Sequence, residues 1–233
     1  MQEKVVTKIV TLSLALIIGI SVAPVLGRGG QSTHHVDDSH HGFSDSDVGL
    51  WGQMLEGAER DQWQKPDEVI KQLKLKPGDV IADIGAGTGY FTRRFAVAVG
   101  PQGTALGLDI EPSMVEHMKQ DARKLNLTNY EARVVKPDGP GLEPKSVDII
   151  FVSDTYHHIS NRGDYFRKLS KSLKPNGRIV IVDFYKRPSP IGPQALEDKV
   201  SEETIIKELG QAGYHLIRSV DFLPYQYFLE FGL

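Results

Sequence analysis

The feature that most constrains this chain is a short apolar run followed at once by alternating glycines. The run from Val80 to Ile84 is rich in β-branched residues and predicts a buried parallel strand. Gly85, Gly87 and Gly89 come next, and the segment from Tyr90 to Ala98 has the pattern of a helix. A residue without a Cβ can adopt positive φ and lets a ligand approach the main chain. The sequence therefore predicts either a cradle for a small molecule or a turn that merely joins a strand to a helix.

The spacing of these glycines indicates which ligand the cradle would hold. A dinucleotide-binding turn has the pattern G-x-G-x-x-G, whose third glycine lets the following helix face a pyrophosphate. Here the pattern is G-x-G-x-G, and Tyr90 stands where that third glycine would be. Asp83 lies two residues before the first glycine. This segment resembles the first motif of the class I S-adenosylmethionine-dependent methyltransferases, and the missing glycine disfavours a nicotinamide-dependent oxidoreductase.

A second predicted strand, Thr104 to Asp109, ends in a carboxylate 24 residues after Gly85. In dinucleotide folds a carboxylate at this place accepts hydrogen bonds from ribose hydroxyls, and the same geometry serves S-adenosylmethionine. Asp109 is therefore predicted to be a cofactor contact. Its alternative role, as the cap of the next helix, is weakened because Glu111 and Ser113 can serve there.

The resemblance implies further cofactor contacts. Ile110 is similar to the apolar position that packs against adenine in the family, and Asp83 and Asp154 would lie near the methionyl amino group. Asp138 is the only acid in the loop after the third strand, where the family places an acid near the adenine amino group; an ordinary turn residue is the alternative. The turn residues that would line the cofactor are Gly85, Ala86, Gly87, Thr88 and Gly89.

The fourth predicted strand, Val147 to Val152, opens onto a polar segment that ends in His157, His158 and Ile159. Ligands of open α/β sheets bind at the carboxyl ends of the strands, so this segment should face both cofactor and acceptor. Histidine titrates near neutral pH and can act as a general base when the acceptor atom must lose a proton. His157 and His158 are both candidates, and either can equally be structural. The His-His-Ile ending resembles the quinone-biosynthesis C-methyltransferases.

The rest of the pattern completes the predicted fold. The L-K-P-x-G turn that begins at Leu173 is typical of the family. A last strand is predicted from Tyr225 to Phe231, and the resemblance implies that it runs antiparallel to the others. We expect a three-layer α/β fold of the Rossmann-like methyltransferase type, with a seven-stranded, mostly parallel sheet and an N-terminal apolar helix. Helices predicted at 48–56 and 65–73 are a candidate lid, with Trp51 and Trp63 the side chains suspected of touching an acceptor.

The first 27 residues differ from the rest. No charge occurs from Ile9 to Gly27, while Lys4 and Lys8 precede this run. This layout predicts a signal peptide or a membrane anchor, with the following domain exported or facing outward; membrane association would then involve residues 9–27, and a cytosolic domain is the alternative.

The predicted domain organisation has three parts. Residues 1–27 are the signal or anchor, 28–47 a linker rich in histidine and aspartate, and 48–233 the methyltransferase domain. The linker holds four of the chain's eight histidines. We interpret it as a polar tether and predict no metal site, because its spacing fixes no tetrahedral set of ligands.

Composition limits the remaining function classes. A net charge of -3 offers no basic field for nucleic acid, and the absence of cysteine excludes disulfides, cysteine-ligated zinc and a thiol nucleophile. The expected function is methyl transfer from S-adenosylmethionine to a small-molecule acceptor by in-line displacement. Two alternatives stay open: an exported methyltransferase-like protein that binds a ligand without catalysis, and an NAD(P)-dependent oxidoreductase.

Overall fold

A computed structural model describes residues 56–233 of the chain. The predicted leader at 1–27, the linker at 28–47, Trp51 and nearly all of the helix predicted at 48–56 lie outside the described residues. Within residues 56–233, no helix combines the length and the apolar character needed to cross a membrane.

The described residues form one seven-stranded sheet whose strand order is β3-β2-β1-β4-β5-β7-β6. Strand β7 runs antiparallel to its neighbours β5 and β6, and the other neighbouring pairs are parallel. The order reverses between β1 and β4, which is where open α/β sheets form their ligand crevice. This topology confirms the predicted sheet. The strands are β1 (Val80–Ile84), β2 (Thr104–Asp109), β3 (Tyr130–Val134), β4 (Val147–Ser153), β5 (Leu173–Phe184), β6 (His215–Val220) and β7 (Gln226–Gly232).

Six α-helices are described, together with two single turns of 3-10 helix at Tyr156–His158 and Ser170–Ser172. The helix that begins at Arg162 ends at Leu169, and Leu173 pairs with Val147 at the start of the next strand. The helices are α1 (Ala58–Gln64), α2 (Pro66–Leu73), α3 (Thr92–Val99), α4 (Pro112–Lys124), α5 (Arg162–Leu169) and α6 (Glu202–Gln211).

The inner strands β1, β2, β4 and β7 and the second half of β5 are buried on both faces, which explains their continuous apolar runs, whereas the edge strands β3 and β6 are partly exposed. In β5, Ile179 and Ile181 belong to the core layer that includes Phe166 of α5 and Leu209 of α6. Val180 and Val182, at the alternate positions, belong to the layer that contains residues of α2, α3 and α4. Each fully buried aliphatic side chain of this size contributes roughly 1.5–3 kcal/mol of transfer free energy. The two apolar layers hold the strand ends in register, and those ends carry the polar residues of the site.

Candidate functional site

The glycine turn after β1 requires glycine for steric as well as conformational reasons. Gly85, Gly87 and Gly89 have φ values of 68°, 55° and 82°, which are unfavourable for residues with a Cβ. A Cβ on Gly85 would lie 2.4 Å from the side chain of Thr155, and one on Gly89 would lie 1.8 Å from the hydroxyl of Tyr130. The main chain of the turn therefore runs closer to its neighbours than any side chain would permit.

Asp109, the last residue of β2, ties this turn to the next strand. Its Oδ2 accepts a hydrogen bond from the backbone N–H of Gly87 at 2.7 Å, and its Oδ1 accepts one from Glu111 at 3.0 Å. Burial raises the pKa of Asp109, against the lowering effect of these two hydrogen bonds. A carboxylate has about four acceptor positions, so two N–H donors leave room for ribose hydroxyls. Asp109 thus holds the start of α4 and remains able to bind a ligand.

Four adjacent strands, β2, β1, β4 and β5, carry an aspartate at or next to their carboxyl ends: Asp109, Asp83, Asp154 and Asp183 respectively. Burial raises the pKa of Asp83 to about 7, although a hydrogen bond from Thr92 lowers it. Burial also raises the pKa of Asp154 to about 6, against the charge of Arg60. This concentration of carboxyl groups favours a cationic ligand over an anionic one.

A buried polar network joins α1 to the end of β4. Arg60 lies 3.4 Å from the carboxylate of Asp154, which adopts a φ of 55° and also accepts a hydrogen bond from the amide of Gln226. The amide of Gln64 donates to the hydroxyl of Ser153 at 3.1 Å and to the Oε1 of Gln226 at 3.0 Å. Helix α1 therefore covers the crevice with polar side chains.

Tyr90, which replaces the third glycine of a dinucleotide turn, also contacts α1. Its hydroxyl donates a 2.5 Å hydrogen bond to Asp61. The guanidinium carbons of Arg60 and Arg94 lie 3.9 Å and 4.2 Å from the centre of its ring, within the range of cation–π contacts. The residue that breaks the dinucleotide pattern thus fastens α1 to the glycine turn.

His157 and His158 occupy different environments on the 3-10 turn after β4. The Nδ1 of His157 lies 2.9 Å from both carboxylate oxygens of Asp183, and the two side chains are 6% and 2% exposed. Burial alone would lower the pKa of His157, but the hydrogen bond and charge of Asp183 raise it above the ordinary value. His158 is the more exposed of the two, its ring centre lies 4.0 Å from that of His157, and its partial burial together with the neighbouring His157 lowers its pKa.

The remaining predicted residues are placed as follows. Ile110 is 42% exposed and follows Asp109 directly, so an apolar side chain is available beside that carboxylate. Ala86 is half-buried, Thr88 is buried, and Trp63 lies on α1 with its ring centre 5.9 Å from that of Phe184. Asp138 is exposed in a turn, where its carboxylate lies 3.9 Å from the Nζ of Lys168. These are the contacts of a surface turn residue, and its role toward adenine stays a prediction.

Sequence reasoning missed Arg60, Gln64, Asp183 and Gln226. The signal for Asp183 was present, because it follows four apolar residues of β5 much as Asp109 ends β2. No comparable signal marks α1, whose buried Arg60 and Gln64 are polar. In residues 56–233, no group of three or more His, Cys, Asp or Glu side chains is arranged to hold a metal ion.

A family model and two curated relatives identify this chain as similar to methyltransferases. A family model described as a methyltransferase domain matches residues 75–219. The chain is 28% identical over 170 residues to a 27-O-demethylrifamycin SV methyltransferase from Amycolatopsis mediterranei, covering 71% of this chain and 58% of that protein. It is 26% identical over 144 residues to a ubiquinone/menaquinone biosynthesis C-methyltransferase from Ectopseudomonas mendocina, covering 61% and 55% of the two chains.

A solved structure agrees with these relatives. The crystal structure of a SAM dependent methyltransferase from Aquifex aeolicus matches with a TM-score of 0.74 and 26% identity, covering 81% of this chain and 98% of that one. By contrast, the chain spans only about half the length of the curated relatives it matches.

Proposed function

This chain belongs to the S-adenosylmethionine-dependent methyltransferase-domain family, and from that premise we propose that it methylates a small-molecule acceptor. The observation that carries the proposal is the glycine turn from Gly85 to Gly89 tied to the carboxylate of Asp109. A tight glycine turn beside a carboxylate that still has acceptor positions is what the ribose of a nucleoside needs. The four aspartates at the strand ends suit a ligand whose sulfur and amino groups both carry positive charge.

The residues present fit this cofactor. The backbone from Gly85 to Gly89 would border its ribose, Asp109 would accept hydrogen bonds from the ribose hydroxyls, and Ile110 would pack on the adenine. Asp83 and Asp154 would face its ammonium group. When bound, S-adenosylmethionine supplies a methyl group on a sulfonium that is already a good leaving group. The protein therefore mainly has to align the acceptor, and alignment can be worth several orders of magnitude in rate.

A small-molecule acceptor is supported by the relatives and by charge. One relative is named for 27-O-demethylrifamycin SV and another for ubiquinone/menaquinone biosynthesis, both small molecules. The net charge of -3 and the acidic strand ends disfavour a polyanionic acceptor. For an acceptor that must lose a proton, His157 is the better placed of the two candidate bases, because Asp183 holds its ring.

The experiment that tests the proposal is calorimetric titration with S-adenosylmethionine and S-adenosylhomocysteine. We expect both to bind the wild-type protein, and Asp109→Ala to bind each about tenfold or more weakly, because hydrogen bonds to a charged group contribute about 1.5–3 kcal/mol. Asp67→Ala, which removes an exposed carboxylate on α2, is the matched control and should bind as wild type does. Equal affinities of wild type and Asp109→Ala would refute the proposal, and NADH binding in their place would favour the oxidoreductase.

A second candidate is a methyltransferase-like protein that binds its ligand without transferring a methyl group. It is favoured by the predicted leader, because S-adenosylmethionine is made and used in the cytosol. Incubation of the protein with methyl-tritiated cofactor and a small-molecule extract separates the two candidates. Methyl transfer should label organic-soluble products with wild type and not with Asp109→Ala, whereas a pure binding protein would label none.

We also propose that residues 1–27 act as a signal peptide or membrane anchor that places the domain outside the cytosol. Support comes from Lys4, Lys8 and the uncharged run from Ile9 to Gly27. Protease added to cells whose outer envelope is opened and whose plasma membrane is intact should then digest the domain, whereas a cytosolic domain would be protected until that membrane is lysed.

A further inference from the structure

A groove lies at the end of the sheet where β5 and β6 begin and β7 ends, opposite the strand ends that carry the four aspartates. It has a volume of about 500 Å³, and its walls include Lys145, Lys171, Gly177, Ile217 and Gly232. We propose that this groove binds the headgroup of an anionic phospholipid, so that the domain can lie on a lipid surface while the crevice at the other end of the sheet faces water. The inference goes beyond the proposed methyl transfer and depends neither on that activity nor on residues 1–27.

Two glycines shape the groove. A Cβ on Gly232 would lie 3.1 Å from the Cδ1 of Ile217 and 3.2 Å from the Cε1 of His215, so these side chains pack directly on its main chain. A Cβ on Gly177 would lie 2.9 Å from the carbonyl oxygen of Lys174, so the turn that begins at Lys174 folds tightly back on the sheet. A larger residue at either glycine would push one wall of the groove outward, and the shape of the groove therefore depends on both.

Two lysines give the groove a positive charge that no carboxylate neutralises within residues 56–233. The backbone N–H of Lys145 donates to the carbonyl oxygen of Lys171 at 2.9 Å, which holds the two lysines side by side, and both are exposed. The lysine side chains that form ion pairs in this part of the chain are other ones: Lys65, Lys168 and Lys174. Because two neighbouring ammonium groups repel each other, an anion bound between them would relieve the repulsion.

Apolar side chains at the start of β6 favour a lipid over a free phosphate. Leu216 and Ile217 are 36% and 50% exposed. The register of β6 against β7 shifts between Leu216 and Arg218, which makes Ile217 the extra residue of a bulge on this edge strand. Bulges redirect side chains, and this one lays Ile217 over Gly232 in the groove. A phospholipid combines a phosphate for the lysines with acyl chains for the apolar side chains, whereas a free phosphate would use only the lysines.

NMR titration of the full chain with dihexanoylphosphatidylglycerol tests the groove directly. This short lipid is kept below its micelle concentration, so that no bilayer is present into which residues 1–27 could insert. We expect the amide signals of the two groove glycines to shift. The double variant Lys145→Gln, Lys171→Gln should bind roughly 25-fold more weakly, since each lysine near an anionic lipid contributes a factor of about five. Lys119→Gln, Lys124→Gln removes two exposed lysines of α4, which packs on β2 and β3 at the other end of the strand order, and should bind as wild type does.

Two further probes separate the lipid from its parts. Dihexanoylphosphatidylcholine has no net charge and glycerol phosphate has no acyl chains, so each should bind at least about fivefold more weakly than the anionic lipid. Ile217→Gln should weaken binding of the anionic lipid and leave that of glycerol phosphate unchanged. The inference is overturned if glycerol phosphate binds as tightly as the lipid, or if the groove signals respond equally in wild type and in the groove double variant. Shifts in β6 that depend on protein concentration without lipid would also overturn it, because they would assign this face to a second copy of the chain.

Discussion

At the scale of single residues, burial of the Asp83 carboxyl group is electrostatically unfavourable. The side chain is 3% exposed, and the hydroxyl of Thr92 donates a 2.6 Å hydrogen bond to it. Burial nevertheless raises its pKa from 3.8 to about 7. The ionised carboxylate is therefore disfavoured in the folded protein, and a cation placed beside it would relieve that cost.

This cost predicts a pH dependence of stability in the protein without cofactor. Because the folded pKa is raised, the native state binds more protons than the unfolded state between about pH 4 and pH 7, so the contribution of Asp83 falls as pH rises through that range. Each unit of upward shift corresponds to about 1.4 kcal/mol. Asp83→Asn should remove this loss. The unfolding free energy of the variant minus that of wild type should therefore rise by a few kcal/mol between pH 4 and pH 8.

Denaturant unfolding at several pH values measures this difference. Asp67→Asn, on the exposed face of α2, serves as the control and should follow the wild-type curve. If the difference between Asp83→Asn and wild type stays constant from pH 4 to pH 8, Asp83 is ionised throughout and the predicted shift is wrong.

At the scale of elements, α1 is held differently from its neighbour α2. Helix α2 is anchored by Val69 and Leu73, both fully buried, whereas the buried side chains described for α1 are the polar Arg60 and Gln64. Polar contacts give smaller net stabilisation than apolar burial of similar size, since each replaces a hydrogen bond to water. Helix α1 should therefore open at a lower free energy than the rest of the fold.

Tyr90→Phe tests this interpretation by removing the hydroxyl that donates to Asp61. A hydrogen bond to a carboxylate contributes about 1.5–3 kcal/mol, so amide hydrogen exchange in α1 should become about tenfold or more faster. Exchange in β1 and β4 should not change. Tyr165→Phe removes a hydroxyl on α5 and should leave α1 as in wild type. Unaltered exchange across α1 in Tyr90→Phe would show that other contacts hold the helix.

The same contrast explains which elements the sequence could predict. Strands β1 and β2 are fixed by apolar runs that carry an acid at or next to their last residue. Spacing pointed to Asp109, and the family resemblance pointed to Asp83. Helix α1 has no apolar period, and its position depends on contacts with Tyr90 and Asp154 that are distant in sequence. The choice between His157 and His158 depended on a 3-10 turn that directs one ring toward β5, which no local pattern encodes.

At the scale of the whole molecule, the fold brings together acidic side chains that are far apart in the sequence. The net charge of -3 is spread over 27 basic and 30 acidic residues. Nevertheless, four neighbouring strands bring Asp109, Asp83, Asp154 and Asp183 to one edge, where Arg60 pairs with Asp154 and His157 pairs with Asp183. The topology of the sheet, more than the composition of the chain, therefore sets the sign of the charge in the crevice.

This arrangement predicts that the preference for the charged cofactor over its product depends on pH. S-adenosylmethionine carries one positive charge more than S-adenosylhomocysteine, on the sulfur. Since the pKa of Asp154 is about 6 and that of Asp83 about 7, both acids ionise as pH rises from 5.5 to 8. Their added negative charge should strengthen binding of the cofactor more than binding of the product, by about 3- to 10-fold at the dielectric of a partly buried site.

Calorimetry with both ligands at pH 5.5, 6.5, 7.5 and 8 gives the ratio of the two dissociation constants. Repeating it in buffers of different ionisation enthalpy counts the protons released, and S-adenosylmethionine should release more of them than the product does near pH 6.5. In Asp83→Asn the ratio should change less with pH, because of these two acids only Asp154 still titrates. A ratio independent of pH in wild type would mean that the buried acids are too far from the sulfur to distinguish substrate from product, and that the crevice recognises the two ligands by shape alone.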